Sequence, residues 1–332
     1  MSPPLSPELV ALKKQWTEEQ LALRPKLVFE DSGLSFTVQA PGNLATKKPD
    51  DPYKDPRVFT EDYKNTRIEG LRYIGGLDIS FVGDDDGTPS DSKNAEGNGR
   101  PDAFVTLVVI SYPSLQVVNT ITQSLHLPAP YIPSFLAYRE APAYASVLAA
   151  LRTQLKDQGR EDQFPQVIMV DGNGRLHARQ TGVASVVGFE GDVPTIGVAK
   201  NYQPPLAGGP KTSYTYSESD PSVLHWRSSQ DGMKEMTDKR LDQPGSWFGV
   251  FGADWNSTSP PEDYVGAALR PVPTAKNPIF VSSGHRVSLQ TAIHLALALT
   301  RPGTRLPEPI QLADGISRKA VAKFKAQNHS RR

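Results

Sequence analysis

Three strand-like runs follow one another with no helical pattern between them: Leu71 to Val82, Phe104 to Tyr112 and Gln116 to Leu127. They are rich in β-branched and aromatic residues, and Pro113-Ser114 marks a turn between the second and third. Sequential strands joined by turns predict an antiparallel meander. Beyond Pro130-Tyr131-Ile132-Pro133 the apolar period changes. Tyr144, Val147, Leu148, Leu151 and Leu155 fall on one helical face, so Pro142 to Asp157 reads as an amphipathic helix. Short buried strands follow at Val167 to Val170 and Thr195 to Ala199. Strand–helix–strand spacing implies that these run parallel. The predicted fold class is α/β: a mixed sheet, antiparallel first and parallel later, flanked by helices.

The rest of the chain is arranged around that pattern. Ser6-Pro7-Glu8 caps a helix whose stripe runs through Leu9, Leu12, Trp16 and Leu23 to a stop at Pro25. Residues 1–65 read as this helix plus a polar, proline-rich approach to the core. A single domain is expected over 66–317. Within it, polar stretches near 83–101 and 203–263 read as a hairpin tip and an insertion. The Asp84-Asp85-Asp86 run belongs to the first of these and reads as a solvated loop. Ile279 to Arg286 and a capped helix, Ser288 to Thr300, precede a basic tail at 318–332. With 38% apolar residues, 30 prolines and 26 glycines in 332 residues, long loops must surround a core domain of about 230 to 260 residues.

The chain has no cysteine, which excludes disulfides and thiolate zinc sites and fits an intracellular protein of the cytoplasm, nucleus or nucleolus. No apolar run suggests a signal peptide or a membrane span, and a monomer is expected.

Chemistry concentrates where apolar strands meet polar residues. Asp78 stands in Gly75-Gly76-Leu77-Asp78-Ile79-Ser80, and Asp171 follows Val167-Ile168-Met169-Val170 and opens Gly172-Asn173-Gly174. A carboxylate in or at the end of a buried strand is costly unless it is paired or holds a cation. Taken singly, Asp78 could be a salt-bridge partner, Asp171 an Asx-turn and Glu140 a partner of Arg139. Taken together, three acids on separate elements make an oxygen-only site suited to magnesium, with manganese as the alternative.

Four blocks resemble the endonuclease V family, inosine-directed nucleases with an RNase H-like fold. They are Gly75 to Ser80; Pro130 to Glu140; Asp171 to His177 with Arg179, Gly182 and Pro194 to Lys200; and Ser283-Gly284-His285-Arg286 with Arg305 to Pro309 and Ala313-Asp314. The resemblance implies a metal-dependent endonuclease that cuts the second phosphodiester bond 3′ of inosine in nucleic acid, leaving 3′-hydroxyl and 5′-phosphate ends. Asp78, Asp171 and Glu140 would be metal ligands, and Lys200 and His285 would face the scissile phosphate. Tyr131, Ile132 and Pro133 would form a wedge beside the inosine, and Gly172 and Gly174 would admit the base to close backbone contact. Read without the family, Lys200 is a strand-end lysine, His285 a structural histidine and Tyr131 a core aromatic. The chain departs from the family pattern at Ser134, usually glycine, at Ala178, usually proline, and at Val187, often histidine.

The polar inserts and basic tail lean the substrate toward single-stranded RNA, with DNA as the alternative. Two other readings are a different RNase H-like nuclease and an inosine-binding protein that does not cut; three retained acids disfavour the second. Lys+Arg and Asp+Glu are both 36, so nucleic-acid affinity must come from a local patch. The expected outcome is a log affinity against log salt slope shallower than that of a basic nuclease. A steep slope in a fluorescence-anisotropy salt series would show a wider basic footprint.

Overall fold

The computed structural model describes residues 6–40, 43–46, 58–83, 101–203, 233, 237–238, 241–251 and 264–329, except positions 62, 128, 130 and 276. The expected hairpin tip near 83–101, with Asp84 to Asp86, and most of 203–263 lie outside the described residues.

Helix α1 (Pro7–Leu23) opens as its cap residues dictate: the Ser6 side chain accepts from the Leu9 N–H at 3.3 Å and Pro7 fills the first helical position. Strands β1 (Thr37–Gln39), β2 (Asn43–Thr46), β3 (Val58–Glu61) and β4 (Arg67–Glu69) follow. The meander is β5 (Tyr73–Phe81), β6 (Ala103–Ser111) and β7 (Val117–Leu125). After it come α2 (Leu136–Asp157), β8 (Val167–Asp171), α3 (Val183–Glu190) and β9 (Thr195–Ala199). The chain continues through β10 (Ser246–Phe251), β11 (Tyr264–Leu269), β12 (Ile279–His285), α4 (Leu289–Ala298) and α5 (Glu308–His329).

Among the described residues, ten strands form one sheet in the order β2-β3-β10-β11-β12-β9-β8-β5-β6-β7, and β1 pairs with β4 apart from it. Strands β5, β6 and β7 are antiparallel to one another, as the meander predicts. Strand β8 lies parallel to β5, and β9 parallel to β8. Strands at one side extend the sheet beyond the sequence expectation. The approach segment supplies β2 and β3, and β10 falls inside the 203–263 stretch yet pairs with both β3 and β11. Residues 318–329, which read from sequence as a tail, continue α5, with Val321 buried and Phe324 tilted against Phe104 at 5.8 Å.

Two apolar layers follow from the two-residue strand period. In β8, Val167 and Met169 join the core under α4 and α5, whereas Ile168 and Val170 join the one under α2 and α3. Helix α2 begins six residues before Pro142, the expected start. A proline near a helix start costs one internal hydrogen bond and need not be its first residue. Glu140 therefore sits in the helix rather than ahead of it. None of the described helices is long and apolar enough to cross a membrane.

One buried polar node ties the added strands to the core. The Glu61 carboxylate accepts from Trp247 Nε1 at 2.8 Å and Gln290 Nε2 at 3.2 Å, with His294 Nε2 3.4 Å away. Replacing it leaves buried donors without an acceptor. Glu61→Ala is expected to lower unfolding free energy by about 3 kcal/mol in urea denaturation; a loss below about 1 kcal/mol would mean that the node contributes little.

Candidate active site

Strand alternation brings the site together. Ile74, Gly76 and Asp78 lie on one face of β5; Val167, Met169 and Asp171 lie on the same face of β8; Ile196, Val198 and Lys200 continue it on and beyond β9. Register sets the level along the strands: Leu77 is opposite Val170, and Asp171 opposite Val198. Asp78, Asp171 and Lys200 thus meet at the C-terminal end of the parallel strands, facing α5.

Helix α5 completes the cluster because it can come close. A Cβ on Gly76 would stand 2.1 Å from the Pro309 carbonyl oxygen, so only glycine allows this approach. The helix then carries Asp314 and Ser317 to Asp78: the Ser317 hydroxyl donates to Asp78 Oδ2 at 2.5 Å. Carboxylate oxygens of Asp78, Asp171 and Asp314 lie within 4.8 Å of one another. Lys200 Nζ stands among them, 2.6 Å from Asp171, 2.5 Å from Asp314 and 4.0 Å from Asp78. Arg305 pins this end of β9 by donating to the carbonyls of Lys200 and Pro278.

Burial, and then the Asp171 charge, push the Asp78 carboxyl well above the usual carboxylate range. The same two causes push buried Glu140 up to about 8, with Arg139 pulling the other way. Burial disfavours the Lys200 charge, but Asp171, Asp314 and Asp78 outweigh it and hold the ammonium pKa above its ordinary value. Acids thus outnumber bases here: Asp78, Asp171, Asp314 and Glu140 stand against Lys200, with Arg318 Nε also 3.0 Å from Asp314. Clustered oxygen donors with that surplus fit a hard divalent cation such as magnesium or manganese.

Asp78, Asp171 and Lys200 line a cleft of about 340 Å³. Glu140 lines it from α2, beside the three-carboxylate cluster rather than within it. Asp314 takes the third place in the cluster. It belongs to the C-terminal sequence block but had no expected role there; its signal in the sequence was the Ala313-Asp314 pair.

Of the expected wedge, Tyr131 is 40% exposed on the cleft and Pro133 is exposed, but Ile132 is buried against Trp16 and Phe135 as an anchor. The next residue, Ser134, adopts φ +68°, which accounts for glycine being usual there. Its carbonyl accepts from Gln20 Nε2 at 3.3 Å, His177 Nε2 at 3.0 Å and Arg179 Nη2 at 2.9 Å. Backbone N–H groups of Arg179 and Thr181 approach His177 Nδ1 at 3.3 and 3.4 Å, which makes Nε2 the protonated nitrogen. Burial and then Arg179 push His177 down to about 3, so the imidazole is neutral at physiological pH.

Gly172, at φ +144°, lines the cleft; Gly174 does not. A Cβ on Gly174 would meet the Ser283 carbonyl at 2.2 Å, so close packing against β12 already requires glycine there. His285 also stands apart, contrary to expectation. Strand β12 runs antiparallel to β9 and pairs His285 with Thr195, the opposite end of β9 from Lys200 and roughly 16 Å away along the strand. There His285 accepts from the Val28 N–H at 3.3 Å and meets the Phe189 ring edge-on at 5.8 Å.

Glu140 gives a pH signature to the metal-free protein. Its carboxyl is raised from 4.5 to about 8 in the fold, so its stabilising contribution is full below 4.5 and lost as pH rises through about 8. In EDTA, wild type is expected to lose stability relative to Glu140→Gln across that window and then to level off. Parallel denaturation profiles for the two proteins would refute this.

The architecture matches known proteins. The endonuclease V family model matches residues 55–315. Human endonuclease V is 33% identical over 260 residues, 78% of this chain and 75% of the human protein. The solved catalytic domain of human endonuclease V superposes with a TM-score of 0.64 at 28% identity, covering 98% of this chain and 99% of that one. Endonuclease V of Ciona intestinalis, solved with a 24mer DNA containing an inosine followed by a ribo-adenosine, gives a TM-score of 0.65 at 25% identity, covering 96% of this chain and 99% of that one. The sheet order and flanking helices are those of an RNase H-like fold, and the chain belongs to the endonuclease V family.

Proposed function

We propose that this protein is a divalent-cation-dependent endonuclease that hydrolyses the second phosphodiester bond 3′ of inosine, leaving 3′-hydroxyl and 5′-phosphate ends. The observation that carries the reading is the meeting of Asp78, Asp171 and Asp314 around Lys200, beside a cleft that Asp78, Asp171 and Lys200 line. Those three carboxylates would hold the cation, with Glu140 beside it. A bound divalent cation supplies Lewis acidity for in-line attack of water on the phosphate. Lys200 turns its charge toward a phosphate oxygen once the carboxylates have another cation. His285 has no part in this, given its place at the far end of β9.

Tyr131 stacks beside the extruded nucleotide. The base enters between Ser134 and Gly172, where backbone groups read the O6 acceptor and N1–H donor that distinguish hypoxanthine from adenine. The Ciona protein was solved with DNA in which an inosine is followed by a ribo-adenosine, which supports both the base and a tolerance for ribose. The polar inserts favour single-stranded RNA as the preferred strand.

End-labelled single-stranded RNA and DNA, each with and without one inosine, test the proposal in magnesium. The expected product is a single cut one nucleotide past inosine, faster in RNA. Asp78→Ala and Asp314→Ala should each reduce its rate by about a hundredfold or more. Cutting that ignores inosine would favour another RNase H-like activity, and magnesium-independent binding without turnover a reader.

A further inference from the structure

Tyr144 is a polar group in this cleft that the proposed chemistry does not use. It lies on α2 four residues after Glu140, so the two side chains share a helix face. It is 0% exposed and lines the cleft with Glu140, Asp78 and Asp171. Its hydroxyl has no hydrogen-bond partner among the described residues. A buried hydroxyl without a partner costs stability, and phenylalanine would fill the same space without that cost. The group is a donor in this setting. Burial and then the Glu140, Asp78 and Asp171 charges push its ionisation well above the usual phenol range, so it keeps its proton.

We infer that Tyr144 is a positioning residue: once Asp78, Asp171 and Asp314 hold a cation, its otherwise unpartnered hydroxyl donates to the Glu140 carboxylate and fixes that carboxylate's orientation toward the cation. The inference rests on the metal-dependent reading above. Glu140 sits beside the three-oxygen cluster, where an outer hydrogen bond decides which way its oxygens face. A hydroxyl one helical turn away supplies that bond without adding charge to a crowded acidic pocket.

The test is the manganese-induced rise in thermal midpoint, titrated for wild type, Tyr144→Phe, Glu140→Ala and the double variant. In EDTA, Tyr144→Phe should melt at or above the wild-type temperature, since it removes only an unpartnered hydroxyl. Its half-saturating manganese should rise about tenfold. In the Glu140→Ala background the same substitution should add nothing, because its effect runs through that carboxylate. Equal manganese midpoints for wild type and Tyr144→Phe overturn the inference and leave the metal site standing. So does the same loss with and without Glu140, or a lower melting point in EDTA with an unchanged manganese midpoint, which would assign the tyrosine to core packing. A wild type that does not respond to manganese overturns both readings.

Discussion

Three carboxylates gathered around one ammonium set the terms for the rest of this molecule. Such a cluster repels itself in a part-buried pocket and must be forced together by something stronger than its own preference. The force is the packing of the sheet and of α5, whose apolar residues belong to the larger core. Lys200 relieves part of the repulsion; burial first, and then the Asp171 charge, keep the Asp78 and Glu140 carboxyls raised. The fold stores a demand for positive charge that a divalent cation can meet.

The central strands were legible because their chemistry is local. A strict two-residue period gives each strand two faces, and Asp78, Asp171 and Lys200 fall on one of them whatever the loops do. Parallel pairing of β8 and β9 then needs only the intervening α3. Strands β2, β3 and β10 at one side of the sheet were not legible. They are short runs set in polar, proline-rich sequence, and pairing with a neighbour from elsewhere in the chain decides their state. Helix α2 starts earlier than its proline suggests, because Pro142 is accommodated within the helix, and Glu140 belongs to that helix rather than to the segment before it.

Roles that depend on direction and on distant contact were the hardest to read. His285 stands in a block that reads as functional, but the antiparallel course of β12 carries it away from the acids. Asp314 is delivered by a helix whose docking depends on the missing side chain of Gly76, 238 residues earlier. No local pattern encodes that contact. Gly174 reads from sequence as a partner of Gly172 at the base, and its close approach to the Ser283 carbonyl was not legible there.

The Ser134 carbonyl has a consequence for recognition. Gln20, His177 and Arg179 all donate to it, and Arg179 also donates to Gln20, so α1, the segment around residue 134 and the 177–179 turn are laced into one body. Most of the ordering entropy of that rim is spent at folding rather than at encounter. A nucleotide entering the cleft meets a wall that does not adapt to it. Discrimination among bases then comes from shape and unmet hydrogen bonds, and a wrong base is lost by rapid departure rather than by slow arrival.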